Sequence, residues 1–380
     1  MHTKEHSLHR SIGFASLLFA APLLVACGTS EGNTTGMCTA KPDNTAPMCQ
    51  PESGNPASCT CSSDDYAPRF NASKNDTWPA CISDSGVFHL IGDSVPAADS
   101  RSVAFDTIAS KLWRRATIPT TADFTSARND YTVMGGIGSR VARRQDVHYP
   151  ELPGDDKFAC SNATTAAMYP DRCYSPARLK PILDDAFAQG QAGSKLQVQA
   201  ARIEASLLWF FYLSVSSEIW TCSFNDIEDC DSAWGYYSGA HDRSQPIGLG
   251  AYIKALDQTT YDRGYDAILA IRCWRDLDPA LPSLCKPFYD RTQAQMDKPL
   301  TRGMALILRD RLGKLPTLSG EAQEAALTFI NLLGGFLDRA ARSIDPSRAD
   351  ALKAQTQATT AAAVDVTAAQ SAIDALFPCP

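Results

Sequence analysis

The residue types best suited to chemistry gather in one segment. It runs from Arg202-Ile203-Glu204 through Glu218 and Cys222 to Asp226, Glu228, Asp229, Cys230 and Asp231, then to His241 and Asp242. Glu204 stands among apolar neighbours. Glu218, two heptads on, falls on nearly the same helical face, with Leu208, Phe211 and Val215 between them. A carboxylate on a buried face needs a cation, a hydrogen-bonding partner or a proton. Helical bundles hold iron and similar metals with inward-facing carboxylates and histidines. Glu204, Glu218, Asp231, His241 and Asp257 are therefore the candidate ligands for iron or another divalent ion. At about 1.5 Å of rise per residue, Glu204 and Glu218 stand roughly 21 Å apart and cannot share one ion. Glu218 is better placed to work with the acidic loop 226–231, drawn in by a Cys222–Cys230 bridge, with His241 returning after the next short helix. Asp257 sits near the apolar stripe of Ile253, Leu256, Gly264 and Ile268.

The same residues have a purely structural reading. Glu204 would pair with a buried arginine, among the neighbours of Arg202 or at Arg272. Asp231 would be the N-cap of a helix starting at Ser232, and Gly239 would end it. The acidic loop would simply be solvated.

Catalytic groups are scarcer. Gly92-Asp93-Ser94, after Phe88-His89-Leu90-Ile91, resembles the nucleophile block of GDS(L)-type lipases and esterases. A serine nucleophile needs a base, normally histidine, held by a third group. Past residue 26 the chain has only His89, His148 and His241. It lacks that family's Asp-x-x-His near the C-terminus and any βαβ alternation. A Gly-x-Ser-x-Gly elbow, a P-loop, a Rossmann glycine pattern and a His-Glu-x-x-His helix are absent too. The reading is of a protein that is not an enzyme, with esterase activity through Ser94 as a remote alternative.

Helices must position these groups, because helical periodicity dominates from about residue 86 onward. The spacing predicts helices over 100–115, 122–134, 176–189 (Pro176 at its start and Gly190 past its end), 195–220, 252–274, 299–312, 321–344 and 348–376. In the middle of the 195–220 helix, Leu207–Leu213 is apolar all round, as in a helix buried on every side. Strand-like alternation is limited to pieces such as Val87–Ile91. The expected fold is an all-α, disulfide-stabilised multi-helix bundle over 86–380, preceded by an irregular cysteine-containing tether over 27–85.

Ahead of the tether, a basic head (Lys4, Arg10) leads into the apolar run 14–26, which ends in Leu24-Val25-Ala26-Cys27-Gly28. The run is shorter than the about 20 residues a span needs and has the layout of an export signal, residues 1–26. The tetrapeptide ending at Cys27 resembles a lipobox, which implies cleavage before Cys27 and lipidation of its sulfur. Multiple acyl chains make a stable anchor. Gly28 after the cysteine, by analogy with known lipoproteins, leans towards the outer membrane in a cell with two. The lipobox argues for a bacterium, so the sequons at Asn33, Asn71, Asn75 and Asn162 carry no weight as glycosylation sites.

Removing residues 1–26 takes away Lys4, Arg10 and Glu5. That leaves 33 basic and 41 acidic side chains, a net charge of −8. Such a balance does not suit nucleic acid or anionic lipid, so membrane contact is expected through the anchor alone. Of 13 cysteines, 12 remain once Cys27 is set aside. An even number in an exported chain reads as disulfides. Cys160/Cys173, Cys222/Cys230 and Cys273/Cys285 are the near pairs, each worth roughly 2–3 kcal/mol. Cys38, Cys49, Cys59, Cys61, Cys81 and Cys379 cannot be paired from sequence. No Cys-x-x-Cys spacing supports zinc.

One resemblance covers most of the body, roughly 86–376. Asp231-Ser232-Ala233-Trp234-Gly235-Tyr236-Tyr237-Ser238-Gly239 follows a Glu-bearing aromatic helix, and Phe124–Tyr131 is followed by Gly135-Gly136. This combination resembles the low-iron-inducible periplasmic, Fe-assimilating (Fea-type) proteins, with Asp231, Trp234 and Gly239 as the motif positions. The resemblance implies an extracytoplasmic all-α protein tied to iron acquisition, with an uptake or surface partner unknown. The competing expectation is a structural or protein-interaction lipoprotein without metal, in which the aromatic segment is core and the acidic loop meets a partner or water.

Overall fold

The computed structural model describes residues 50–52, 55–60, 88, 90, 97–154, 158–222, 227–277 and 282–378. The chain divides into two units, 1–35 and 36–380, and every described residue belongs to the second. The expected signal, Cys27, His89, Ser94 and the cysteines at 38, 49, 61, 81 and 379 lie outside the described residues. So do the side chains of Cys59, Cys273 and Cys285.

The body is all-α, as expected. Its axis is α6, Leu196–Thr221. At about 1.5 Å per residue it is roughly 39 Å long. From Ile203 to Ile219 every side chain is buried, so this helix has no solvent face. Packed against it are α5 (Lys180–Gln191), α7 (Ile227–Ser238), α10 (Pro282–Lys314) and α11 (Gly320–Ile344). α1 (Ala97–Leu112) lies on α7 and on α2 (Thr121–Thr132), whose start is fixed by a Thr120/Asp123 capping box. The capping box satisfies two otherwise orphaned backbone N–H groups. α3 (Ile137–Val141) and α4 (Ala163–Met168) are short. The Asn162 side chain caps α4, accepting from the N–H groups of Thr164 and Thr165 at 2.8 and 3.2 Å.

α8 (Gly248–Leu256) and α9 (Gln258–Leu277) pack together, and α9 runs along α10. α12 (Pro346–Thr356) closes on α11, and α13 (Val366–Leu376) on α10 and α12. A satellite cluster of Leu152, Cys160, Ala166 and Cys173 stands apart from the main core. The Cys160–Cys173 disulfide runs through it. The second expected bridge, Cys222–Cys230, ties the end of α6 to the first turn of α7.

Several boundaries differ from the sequence expectation. The tether contains a two-stranded antiparallel hairpin, Gln50–Glu52 with Asn55–Thr60. The helix expected over 252–274 is broken at Asp257, which caps α9. The one expected over 348–376 is two helices, with Asp365 capping the second through the N–H of Ala368. α10 does not start at Pro299 but runs through it, and Pro299 is buried there.

Gly190 does not end α5. It lies inside the helix because a Cβ there would meet the Phe124 ring of α2 at 2.1 Å, so the residue is a contact surface. The terminator is Gly193, at φ +80°, where glycine carries no steric penalty. Gly190→Ala should destabilise the fold by about 1–3 kcal/mol, as overpacking does, since the Phe124 ring is fully buried and has no room to retreat. Urea unfolding of the two chains checks this; an unchanged midpoint contradicts it.

Candidate functional site

Glu204 is 2% exposed, on the all-buried face of α6. Its two oxygens have separate partners. Arg311 of α10 donates to Oε2 at 2.8 Å, and the Tyr252 hydroxyl of α8 donates to Oε1 at 3.0 Å. The Trp113 indole N–H in turn donates to the Tyr252 oxygen at 2.6 Å. Arg114 sits over the Tyr252 ring, 4.6 Å from its centroid, and Arg311 over Phe329 at 4.0 Å. Burial works against the Arg311 charge, yet the Glu204 carboxylate raises its pKa above the ordinary guanidinium value. Burial and the same carboxylate push the Tyr252 phenol up, so it stays protonated and donating. Glu204 thus pairs with a cation, Arg311; the Arg272 side chain lies outside the described residues.

Glu218 is 7% exposed and is held in the same manner from another side. Arg144, in the turn after α3, donates to its Oε1 at 2.6 Å and to the Ser217 hydroxyl at 3.2 Å. Arg144 also lies over the Tyr236 ring of α7, 5.3 Å from the centroid. Asp231 is buried inside α7. It is not an N-cap, because the helix begins four residues earlier, at Ile227, with Glu228 and Asp229 in its first turn. Acidic side chains there suit the positive end of the helix dipole. Gly239 does end α7, at φ +69°, where a Cβ would strike Ile247. Trp234 stacks on Phe88, ring centroids 4.5 Å apart.

His241 is exposed. Its charge lowers the pKa of Asp99 in α1, against a larger upward push from burial. Asp257 spends its carboxylate on the start of α9, accepting from the Thr259 N–H at 3.1 Å and the Thr260 hydroxyl at 2.6 Å. The five candidate ligands are thus not drawn to one point. Among the described residues, no three His, Cys, Asp or Glu side chains are grouped so as to hold a metal ion.

A cluster that sequence spacing did not suggest forms around His148. Its Nδ1 is 2.6 Å from Asp146 and its Nε2 is 2.9 Å from Asp297 of α10. The Tyr212 hydroxyl of α6 donates to the same Asp297 oxygen at 3.1 Å. Arg339 of α11 reaches within 3.5 Å of that hydroxyl and 4.0 Å of Asp146. Burial alone would lower the His148 pKa, but hydrogen bonds and charge from Asp146 and Asp297 outweigh it and raise the value to about 9. At neutral pH this imidazole is a cation with both nitrogens donating. It has no lone pair for general-base work. It binds the 146–148 segment to α6, α10 and α11. The signal that could have found it is slight: one of three histidines past residue 26, with its partners 2 and 149 positions away.

No family model, curated protein or solved structure matches this chain. The residues therefore speak through their own geometry.

Two outcomes follow. Arg311→Met should cost about 3–5 kcal/mol by stranding Glu204 in the interior, and adding Glu204→Gln should recover part of that in chemical denaturation. The His148 pKa lies higher in the folded chain than its unfolded value of 6.5, so its contribution is complete below about pH 6.5. That contribution is lost as pH rises through about 9, a fall on the order of 3 kcal/mol. Unfolding free energies measured at pH 6 and pH 10 should show this fall, and His148→Gln should flatten it.

Proposed function

We propose that this chain is an exported, lipid-anchored helical protein of the structural or protein-interaction class, the alternative to metal capture. Export is supported by the two disulfides, since such bonds persist in oxidising compartments. One observation carries the choice of this class over metal capture. The two interior carboxylates of α6 each end on a guanidinium, Glu204 on Arg311 and Glu218 on Arg144. A metal site would need oxygens free to converge on one ion. Here those oxygens hold the bundle together instead. Asp257, engaged at the start of α9, and His241, exposed at the surface, add nothing to them.

One preparation tests both halves of the proposal. Protein isolated from membranes of cells given labelled palmitate and excess iron should carry the label, lose it in Cys27→Ser, and hold far less than one iron per chain. Label retained in the Cys27 variant would defeat the anchoring. One iron per chain, abolished by Glu218→Ala with Asp231→Ala, would defeat that class and restore iron capture.

A further inference from the structure

Four arginines meet where α1, α3 and the turn after α3 face α7. Arg101 is 4% exposed. Its Nε and Nη2 donate to the Gly135 carbonyl at 3.0 and 2.8 Å, and its Nη1 to the Tyr236 hydroxyl at 3.1 Å. Arg101 and Arg144 flank that one phenol ring, their Cζ atoms 5.8 and 5.3 Å from its centroid. Arg140 of α3 and Arg143 beyond it are half-buried. Burial holds the pKa of each below the ordinary guanidinium value, and the positive charges of the other three arginines (for Arg143, those of Arg144 and Arg101) deepen the effect against an opposing pull from Tyr236 and, for Arg143, from Glu218. The four groups therefore feel one another's charge.

Compensation is incomplete. Among the described residues, Glu218 is the one carboxylate ion-paired with any of the four. A carbonyl and a phenol hydroxyl are the partners of Arg101. The Nε atoms of Arg140 and Arg144 are shut away from water with no acceptor. A buried charge without a counter-ion, and a buried N–H without an acceptor, both cost free energy. Ordinary solvated arginines do not show this combination. An apolar rim adjoins the cluster. Val133 and fully exposed Met134 directly precede Gly135, and the half-exposed Phe158 ring lies 4.9 Å from the Arg143 Cζ.

We propose that Arg101, Arg140, Arg143 and Arg144 form a receptor site for an oxyanion, a phosphate or carboxylate group bearing two or more negative charges. A guanidinium fork matches such oxygens two at a time; half-buried Arg140 and Arg143 would present theirs to the anion, and Arg101 and Arg144, already bonded within the fold, would add positive charge behind them. This names a ligand class for the lipoprotein proposed above and rests on that reading. The same chemistry is offered by a free solute and by a phospholipid headgroup at the anchoring membrane.

The test uses the full chain carrying Cys27→Ser, so that no acyl group contributes. Calorimetry with inorganic phosphate and with citrate probes the solute source. Co-sedimentation with phosphatidylglycerol vesicles, against phosphatidylcholine vesicles, probes the headgroup source. Binding in either arm is expected, weakened by about tenfold or more in Arg140→Gln with Arg143→Gln, whose side chains carry no hydrogen bond or ion pair of the core. Arg342→Gln with Arg348→Gln removes the same charge elsewhere and should leave binding intact. No binding in either arm, an unchanged affinity in the first double variant, or an equal loss in the second would each overturn the site. Failure here would leave the palmitate and iron measurements standing, so the two proposals fail separately.

Discussion

A helix enclosed on every side has no water to solvate a charge. α6 nevertheless carries two carboxylates, Glu204 and Glu218, separated by four turns. Each must be answered from a neighbouring element, and the arrangement of those elements follows from it. Arg311 brings α10 to one part of α6, and Tyr252 brings α8 to the same carboxylate. Arg144 brings the turn after α3 to the other. The desolvation penalty of each ion makes the pair weak as a source of net stability and strong as a constraint, because loss of one partner strands the other. The bundle is thereby pinned in register at two points along one axis. Apolar packing alone would specify this less tightly, since Leu, Phe and Val side chains tolerate sliding.

Much of this was legible in the sequence, and the limits are instructive. α6 announced itself through an apolar run at helical spacing, and the near cysteine pairs at 160/173 and 222/230 through short loops. Local signals of that kind need no knowledge of the rest of the chain. Gly190 was misread because glycine has two uses that look alike in sequence: one releases the backbone at a helix end, the other lets an aromatic ring approach. Only the position of Phe124, 66 residues earlier, distinguishes them. Asp257 stood as a candidate ligand because it borders an apolar stripe; in the fold its carboxylate closes the first turn of α9.

Partner choice was the least legible part. A buried glutamate advertises the need for a cation, not which cation. Arg311 is 107 residues from Glu204, and Asp297 is 149 from His148. Such pairings are settled by the path of α10 alongside α6, which no local pattern encodes. The arginine cluster was not legible for a related reason: Arg101 and Arg144 stand on separate elements, and only their convergence on Tyr236 of α7 makes them one group. Charge counted along the chain gave an acidic protein, and the fold nevertheless brings four arginines of that chain together.

The satellite cluster of Leu152, Cys160, Ala166 and Cys173 has a consequence of its own. It is separate from the main core and is closed by a 13-residue disulfide loop, so its order depends on a covalent latch rather than on apolar area. Small units of this sort open locally at a free energy below that of global unfolding. Phe158, two residues before Cys160, covers Arg143 from this unit. The covalent closure of this small unit therefore lies next in sequence to a ring that contacts the arginine cluster.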